Sequence, residues 1–387
     1  MSASVGTLEN FEANKMAVPR REANAQKTAF YAGPGRIEAI DLARGFAVAL
    51  MILSHGVKGL LTFEQIPSWG LVPIHLLTKF SSSLFILVFG VSLAVAFLPF
   101  VGTSAWPRKR QKLLFRGLLV LFWYKALTIV EMFHLYSRED ILKTLLYQAF
   151  PVYVEILGFY AIALIWVPLI LPIWKRLHLS VKITVPIALA LLSNWLFLNF
   201  DFWGNESLKA LLVEHDRHYT WGQLARAPLI FLGLLIGEAV TRTYPALKSR
   251  LIFSAAGALI GACMIGAFFW MARFDVIESL LAIAKNEGKH PPELDFILFS
   301  LGGAFVLLSL SIAGGRLLSR ILGPITIIGK NSLSAFIFHI VVIFVFYRFL
   351  FDYWRTIPYV KALTLTLILL ALTAVWVKVS SLVQERA

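Results

Sequence analysis

The chain contains a single cysteine, Cys263, in 387 residues. That excludes a disulfide framework and any cysteine-based metal site. Charge is also scarce. Only 15% of the residues are Asp, Glu, Lys or Arg, against about 25% in a soluble domain. Acids are the scarcer sign: 22 stand against 36 Lys and Arg, for a net charge of +14. A basic excess suits nucleic acid when it gathers on one polar face. Here the basic residues sit in short loops between apolar runs, so no nucleic-acid partner is expected. What remains is apolar. Hydrophobic residues make up 58% of the chain and mean hydropathy is +0.76, which makes the lipid bilayer the first expected partner.

Ten apolar runs reach the length needed to span a bilayer. They lie near 40–62, 74–100, 113–133, 150–173, 181–200, 222–240, 251–272, 294–314, 330–350 and 360–381. The expected fold class is therefore all-α, a polytopic transmembrane helical bundle of about ten spans. The loops alternate in charge. Segments 101–112, 174–182, 241–250 and 315–330 are basic and nearly free of acids, whereas 134–149, 201–221, 273–293 and 351–359 are mixed. The positive-inside rule then places both termini in the cytoplasm, consistent with an even number of spans. Residues 1–35 are polar, carry Lys15, Arg20, Arg21 and Lys27, and lack the apolar stretch of a signal peptide. They read as a flexible cytoplasmic tail, with residues 36–387 forming one membrane domain. No internal repeat is visible.

Ionisable residues inside the spans are expensive and mark functional positions. The first run carries Asp41, Arg44 and His55. Asp41 and Arg44 share a helix face and can pair. Ten residues separate Arg44 from His55, about 16 Å along a helix, or roughly half a bilayer core. Arg44 is thereby expected near the cytoplasmic face and His55 deep in the bilayer. The bland alternatives are an Arg44 that snorkels to the headgroups and a His55 bonded to a backbone carbonyl. Lys79 and Ser81–Ser83 open the second span, with His75 expected at its outer interface. The third span carries Lys125 and Glu131 and the fourth begins near Glu155; both glutamates fall toward the outer side. Either glutamate can orient an imidazole near the acceptor, or simply form an ion pair between spans. Glu238 and Arg226 read as interfacial, and His339 as intramembrane. In loop 201–221, Glu214-His215-Asp216-Arg217-His218 offers two histidines without a third ligand, so a solvated loop and no metal are expected. Asn205-Glu-Ser207 fits a glycosylation sequon by spacing alone. Trp203, Tyr219, Trp221, Tyr353 and Trp354 suit either sugar stacking or an interfacial aromatic belt.

The opening Asp41-Leu-Ala-Arg44-Gly45, with His55 after ten further residues, resembles the acyltransferase-3 superfamily. So do Leu84-Phe-Ile-Leu-Val-Phe-Gly90 in the second run and Gly329-Lys-Asn-Ser332-Leu-Ser-Ala-Phe336-Ile-Phe-His339 in the ninth. Pro151-Val-Tyr-Val-Glu155-Ile-Leu-Gly-Phe-Tyr160 is similar to the glucan succinyltransferase branch, which has an aspartate where this chain has Glu155. The heparan-glucosaminide N-acetyltransferase branch shares the Asp-x-x-Arg-Gly opening.

The resemblance implies an integral membrane acyltransferase in a bacterial cytoplasmic membrane. The donor is cytoplasmic acyl-CoA, either acetyl-CoA or succinyl-CoA, and the acceptor is a carbohydrate or glycan hydroxyl or amine on the far side. It assigns His55 the role of general base or acyl relay, with Glu155, Glu131 and His339 as further catalytic candidates. It puts Arg44 and Asp41 on the donor side, where Arg108, Arg110 and Arg116 of the basic third-run segment add cations for phosphates. Independently, an imidazole suits proton removal from a hydroxyl attacking a thioester, and a guanidinium suits phosphate. A transporter or flippase for a glycan or lipid-linked substrate accounts for the spans and buried charges equally well, but not for the Arg44–His55 spacing together with His339. The acyl group, the acceptor and the oligomeric state are not legible in the sequence.

Overall fold

The computed structural model describes residues 36–386; the segment expected to be a cytoplasmic tail, 1–35, lies outside them. Among the described residues ten helices are long and apolar enough to cross a membrane: α1 (Glu38–Lys58), α2 (Gly70–Phe100), α3 (Trp106–Met132), α4 (Glu155–Arg176), α5 (Leu179–Asn199), α6 (Gln223–Thr243), α7 (Leu247–Met271), α8 (Leu294–Ile321), α9 (Ser332–Leu350) and α10 (Tyr359–Val383). Each coincides with one of the ten apolar runs. The described residues form no sheet, only an isolated bridge between His215 and His218. The chain is an all-α polytopic bundle and an integral membrane protein.

The bundle is built around α1, which packs on α2, α8, α9, α10 and the short helix Gly323–Lys330. Of its most apolar stretch 67% is buried in protein, against 17% for α5 and α7. Those two helices present their apolar side chains to lipid, where no hydrophobic force needs to hide them. The α1 contact with Gly323–Lys330 is very close. A Cβ on Gly45 would strike the Ile325 carbonyl, and one on Gly329 would strike the Asp41 carbonyl. Small residues let helix backbones meet in this way where hydrophobicity cannot drive association.

Successive spans cross in opposite senses, so the bundle has two ends. One carries the start of α1, the start of α3 and the basic loops; the other carries the mixed loops. α3 starts earlier than its apolar run, at Trp106, because the basic turns around Arg108–Lys112 continue the helix beyond its apolar core. α1 stops earlier than its run, at Lys58. Gly59 caps it by donating to the His55 carbonyl at 2.6 Å, and the Arg348 side chain donates to the Gly59 carbonyl. Leu60 and Leu61 continue the apolar run as buried, non-helical chain.

Candidate active site

α1 ends soon after His55. The residue lies one turn from the end of the helix, at the floor of a cavity of about 580 Å³, a size typical of small-ligand sites. Met51, Ser54, His55 and Lys58 of α1 and Thr78, Lys79, Ser81 and Ser82 of α2 form one side. Loops from the mixed end supply Tyr153, Tyr219, Trp221, Asn286, Lys289, His290 and Trp354. Three of the loop aromatics, Tyr219, Trp221 and Trp354, therefore face a cavity. Trp203 does not, being 83% exposed on the surface, and Tyr353 is not among the lining residues either.

Among the described residues His55 has one side-chain hydrogen-bond partner, and it is another imidazole. Its Nδ1 lies 3.2 Å from Nε2 of His339. Nδ1 of His339 lies 2.9 Å from the Ala335 carbonyl, one helical turn back on α9. A carbonyl only accepts, so His339 carries its proton on Nδ1 and its Nε2 offers a lone pair. His55 must then donate from Nδ1, which leaves its own Nε2 as the basic nitrogen. Two residues 284 apart in sequence thus fix a tautomer as a carboxylate does in a hydrolytic triad. The rings are held by packing. Tyr153 meets His55 edge-on at 5.4 Å between centroids, and Phe336 meets His339 edge-on at 5.0 Å. The Tyr153 hydroxyl donates to the Lys58 carbonyl at 2.6 Å, tying that ring to the end of α1.

Neither glutamate fills the expected place beside His55. Glu155 is buried behind the wall, where Oε2 accepts from the Tyr124 hydroxyl at 2.7 Å. Glu131 accepts from the backbone N–H groups of Val152, Tyr153 and Val154 at 2.8, 3.1 and 3.1 Å. Val154 is the N-cap of α4 and the other two precede it, so the carboxylate satisfies the buried donors of the chain that enters the helix. Neither residue lines the cavity. Glu131 does bear on the site indirectly, because the backbone it grips carries Tyr153.

At the other end of α1, Arg44 donates to Asp41 at 3.2 Å, to the Gly329 carbonyl at 3.3 Å and to the Ser92 hydroxyl. Its guanidinium joins α1, α2 and the approach to α9, the three elements that carry the sequence motifs. Arg108, Arg110 and Arg116 are exposed along the first turns of α3. α3 packs mainly on α4, so these arginines share an end of the bundle with Arg44 without joining its network.

Both His75 and Arg226, at the outer ends of their spans by the loop alternation, are buried within the protein, at 0% and 6% exposure. Arg226 Nε donates to Glu214 Oε1 at 2.9 Å, and His290 Nδ1 lies 3.1 Å from Oε2 of the same carboxylate. Glu214 is thus a fully buried anchor, not part of a solvated loop. Burial holds the His290 imidazole down at about 4 against the pull of that carboxylate, so the ring is a neutral donor to it. Asp216 and Arg217 are exposed as expected. The histidines 215 and 218 gain Glu206 as a neighbour, with ligand atoms of the three within 4.8 Å of one another. Its carboxylate is already engaged by Arg217 at 3.0 Å. Asn205 of the sequon caps the helix Glu206–Val213, its side chain accepting from Leu208 N–H at 2.9 Å.

Sequence reasoning passed over Lys58, Lys289, His290 and Arg348. Arg348 and Lys58 were open to the same rule that selected Arg44, since each is a cation in or at the end of an apolar run. Arg348 stacks on Trp354 at 3.9 Å and on Phe344 at 4.6 Å. Lys289 and His290 sit in a loop with no distinguishing pattern.

No curated protein matches the chain. A family model described as an acyltransferase domain matches residues 37–379, which takes in α1 to α9 and most of α10. With that match across the bundle, this membrane-embedded chain is an acyltransferase and belongs to the acyltransferase-3 family.

Proposed function

We propose that the enzyme moves an acetyl or succinyl group from cytoplasmic acyl-CoA to a carbohydrate hydroxyl or amine held in the cavity over His55. The single observation carrying this reading is the His55–His339 pair at the cavity floor, which leaves His55 Nε2 unprotonated and available. In the proposed step Nε2 takes the hydroxyl proton as the acceptor oxygen bonds to the thioester carbonyl carbon. The C–S bond breaks, and the proton passes from His55 to the CoA sulfur. The ring ends neutral, as it began, and the thiol and the ester are the products. His339 is a positioning residue in this scheme, as is Glu131 through Tyr153. The acyltransferase-3 motif supports Arg44 and Asp41 on the donor side, with Arg108, Arg110 and Arg116 at the same end to meet the CoA phosphates.

The alternation of basic and mixed loops supports a cytoplasmic basic end and cytoplasmic termini, and the family resemblance supports a bacterial cytoplasmic membrane. The three cavity aromatics support a sugar acceptor, since ring faces stack on the apolar faces of pyranoses. The test is thiol release by the purified full chain from acetyl-CoA and succinyl-CoA, with and without a mixture of envelope glycans. Release that depends on the glycan supports the proposal. A transporter or flippase would give no acceptor-dependent thiol.

A further inference from the structure

The cavity above His55 has a charge it does not balance. Lys58, Lys79 and Lys289 all line it, and none of them is ion-paired to a carboxylate among the described residues. Their partners are neutral. The Lys79 ammonium donates to Asn286 Oδ1 at 2.6 Å, and that of Lys289 to the Tyr219 hydroxyl at 2.6 Å. Lys58 and Lys79 both stand over the Phe63 ring, at 5.7 and 6.0 Å from its centroid. Phe63 thus brings the first two ammonium groups together. Lys289 is close enough for its charge to be felt at both of them. Lys285 is exposed and also lines the cavity.

The available acids do not answer these cations. Glu64 is the only carboxylate in the lining and is exposed to solvent. Glu214 lies behind the wall, with its two oxygens committed to Arg226 and His290. Elsewhere in the bundle two buried cations are matched by carboxylates, while Arg348 is held by the Gly59 carbonyl and aromatic rings. Lys182 faces Glu238 at 2.8 Å, and Arg226 faces Glu214 at 2.9 Å. Three like charges drawn together in a low-dielectric cavity without a counter-charge are costly to the free protein. A protein gains from such an arrangement when the missing charge arrives with the ligand.

We propose that Lys58, Lys79 and Lys289 form a subsite for an anionic group, a carboxylate or phosphate, carried into the cavity next to the reacting atoms. The subsite rests on the acyl-transfer reading of His55 and narrows its substrates. The anion arrives from one of two sources. A succinyl group brings a carboxylate on the acyl chain, whereas an acidic or phosphorylated glycan brings it on the acceptor. A neutral acetyl group moving to a neutral sugar would leave the three ammonium groups unanswered.

The first measurement needs no turnover, so it is independent of whether acyl transfer occurs. The melting temperature of the purified full chain is titrated with succinate, inorganic phosphate and glucuronate at constant ionic strength, with glucose as the neutral control. Saturable stabilisation by the anions and not by glucose is expected. Lys79→Gln and Lys289→Gln each keep a side-chain donor for Asn286 or Tyr219. Each should weaken the apparent anion affinity by about tenfold or more, the scale of one charge-assisted hydrogen bond. Unchanged anion affinity in both variants, or equal stabilisation by glucose and glucuronate, overturns the subsite. Thiol release then separates the sources. A larger loss of kcat/KM in Lys79→Gln with succinyl-CoA than with acetyl-CoA assigns the anion to the acyl group. An equal loss with both donors assigns it to the acceptor, and no loss with either overturns the subsite's place in the reaction. Absence of thiol release in the wild type rejects acyl transfer while leaving the anion titration to be judged separately.

Discussion

Replacing His339 by leucine isolates what the second imidazole does. His339 is fully buried and gives His55 its one side-chain hydrogen bond, at 3.2 Å. Leucine fills similar space but accepts nothing. A buried N–H left without an acceptor costs about 1–3 kcal/mol. The His55 ring avoids that cost by moving its proton from Nδ1 to Nε2, toward the cavity. The productive tautomer is then disfavoured by about the same amount, and at about 1.36 kcal/mol per decade turnover should fall about 5- to 150-fold. The loss should appear in kcat for thiol release, with little change in the acceptor KM, because no cavity contact is removed. His339→Gln supplies the discriminating control. Its amide oxygen can take the position of Nε2 and accept from His55, so it should recover part of the loss. ¹⁵N shifts of the His55 ring should report the tautomer directly. Full activity in His339→Leu would refute the reasoning. A glutamine variant as inactive as the leucine variant would reduce His339 to a packing residue.

Glu131→Gln should lower the melting temperature, by the equivalent of about 1–3 kcal/mol, because a carboxamide oxygen cannot serve three N–H donors as a carboxylate does. Glu155→Gln should change turnover far less than His339→Leu, and a comparable loss on thiol assay would return Glu155 to the chemistry. Gly45→Ala and Gly329→Ala should each destabilise the bundle by about 1–3 kcal/mol, the range for overpacking; a wild-type melting curve for both would contradict the close approach of α1 to Gly323–Lys330. Burial, with Arg226 beside it, brings the Lys289 ammonium down from 10.5 to about 7. With Arg226, Glu214, Tyr219, Trp221 and Lys58 around it, its charge is present in the folded chain below that pH and lost above it. Affinity for glucuronate, whose carboxylate stays ionised over this range, should therefore fall as pH rises through 7, and stability from this group should rise between about pH 7 and the ordinary lysine range, where only the unfolded chain holds the proton. Glucuronate titrations at pH 6 and pH 8 check the first, and melting temperatures over the same series the second. Cysteines at Ser104 and Asp216, in a Cys263→Ser background, should react with an impermeant thiol reagent from opposite sides of the membrane; labelling from one side would contradict the alternating topology.

The ten spans were legible because twenty apolar residues in a row have few other uses. Their ends were not. The basic turn at Arg108–Lys112 is helical though hydropathy rejects it, and Leu60–Leu61 is non-helical though hydropathy accepts it. Arg44 and His55 could be chosen from the sequence, since a charge or imidazole in a span is conspicuous. Their partners could not. The contacts from His55 to His339 and from Arg44 to Gly329 depend on which helices are neighbours, and hydropathy carries no such information. Glu131 and Glu155 drew attention for the same reason as His55, but a buried carboxylate serves a helix start or a tyrosine hydroxyl as readily as an imidazole. Lys289 lies in an ordinary polar loop. It becomes part of a site only because Glu214, ion-paired to Arg226 and hydrogen-bonded to the neutral His290 ring, pins that loop over the cavity.

The most direct test of the central claim is the rate of acceptor-dependent thiol release from acyl-CoA by wild-type chain and by His55→Ala, purified in the same detergent and matched for melting temperature. A loss of about 10²-fold or more is expected in the variant, the scale of general-base assistance. Turnover near that of the wild type would contradict the claim.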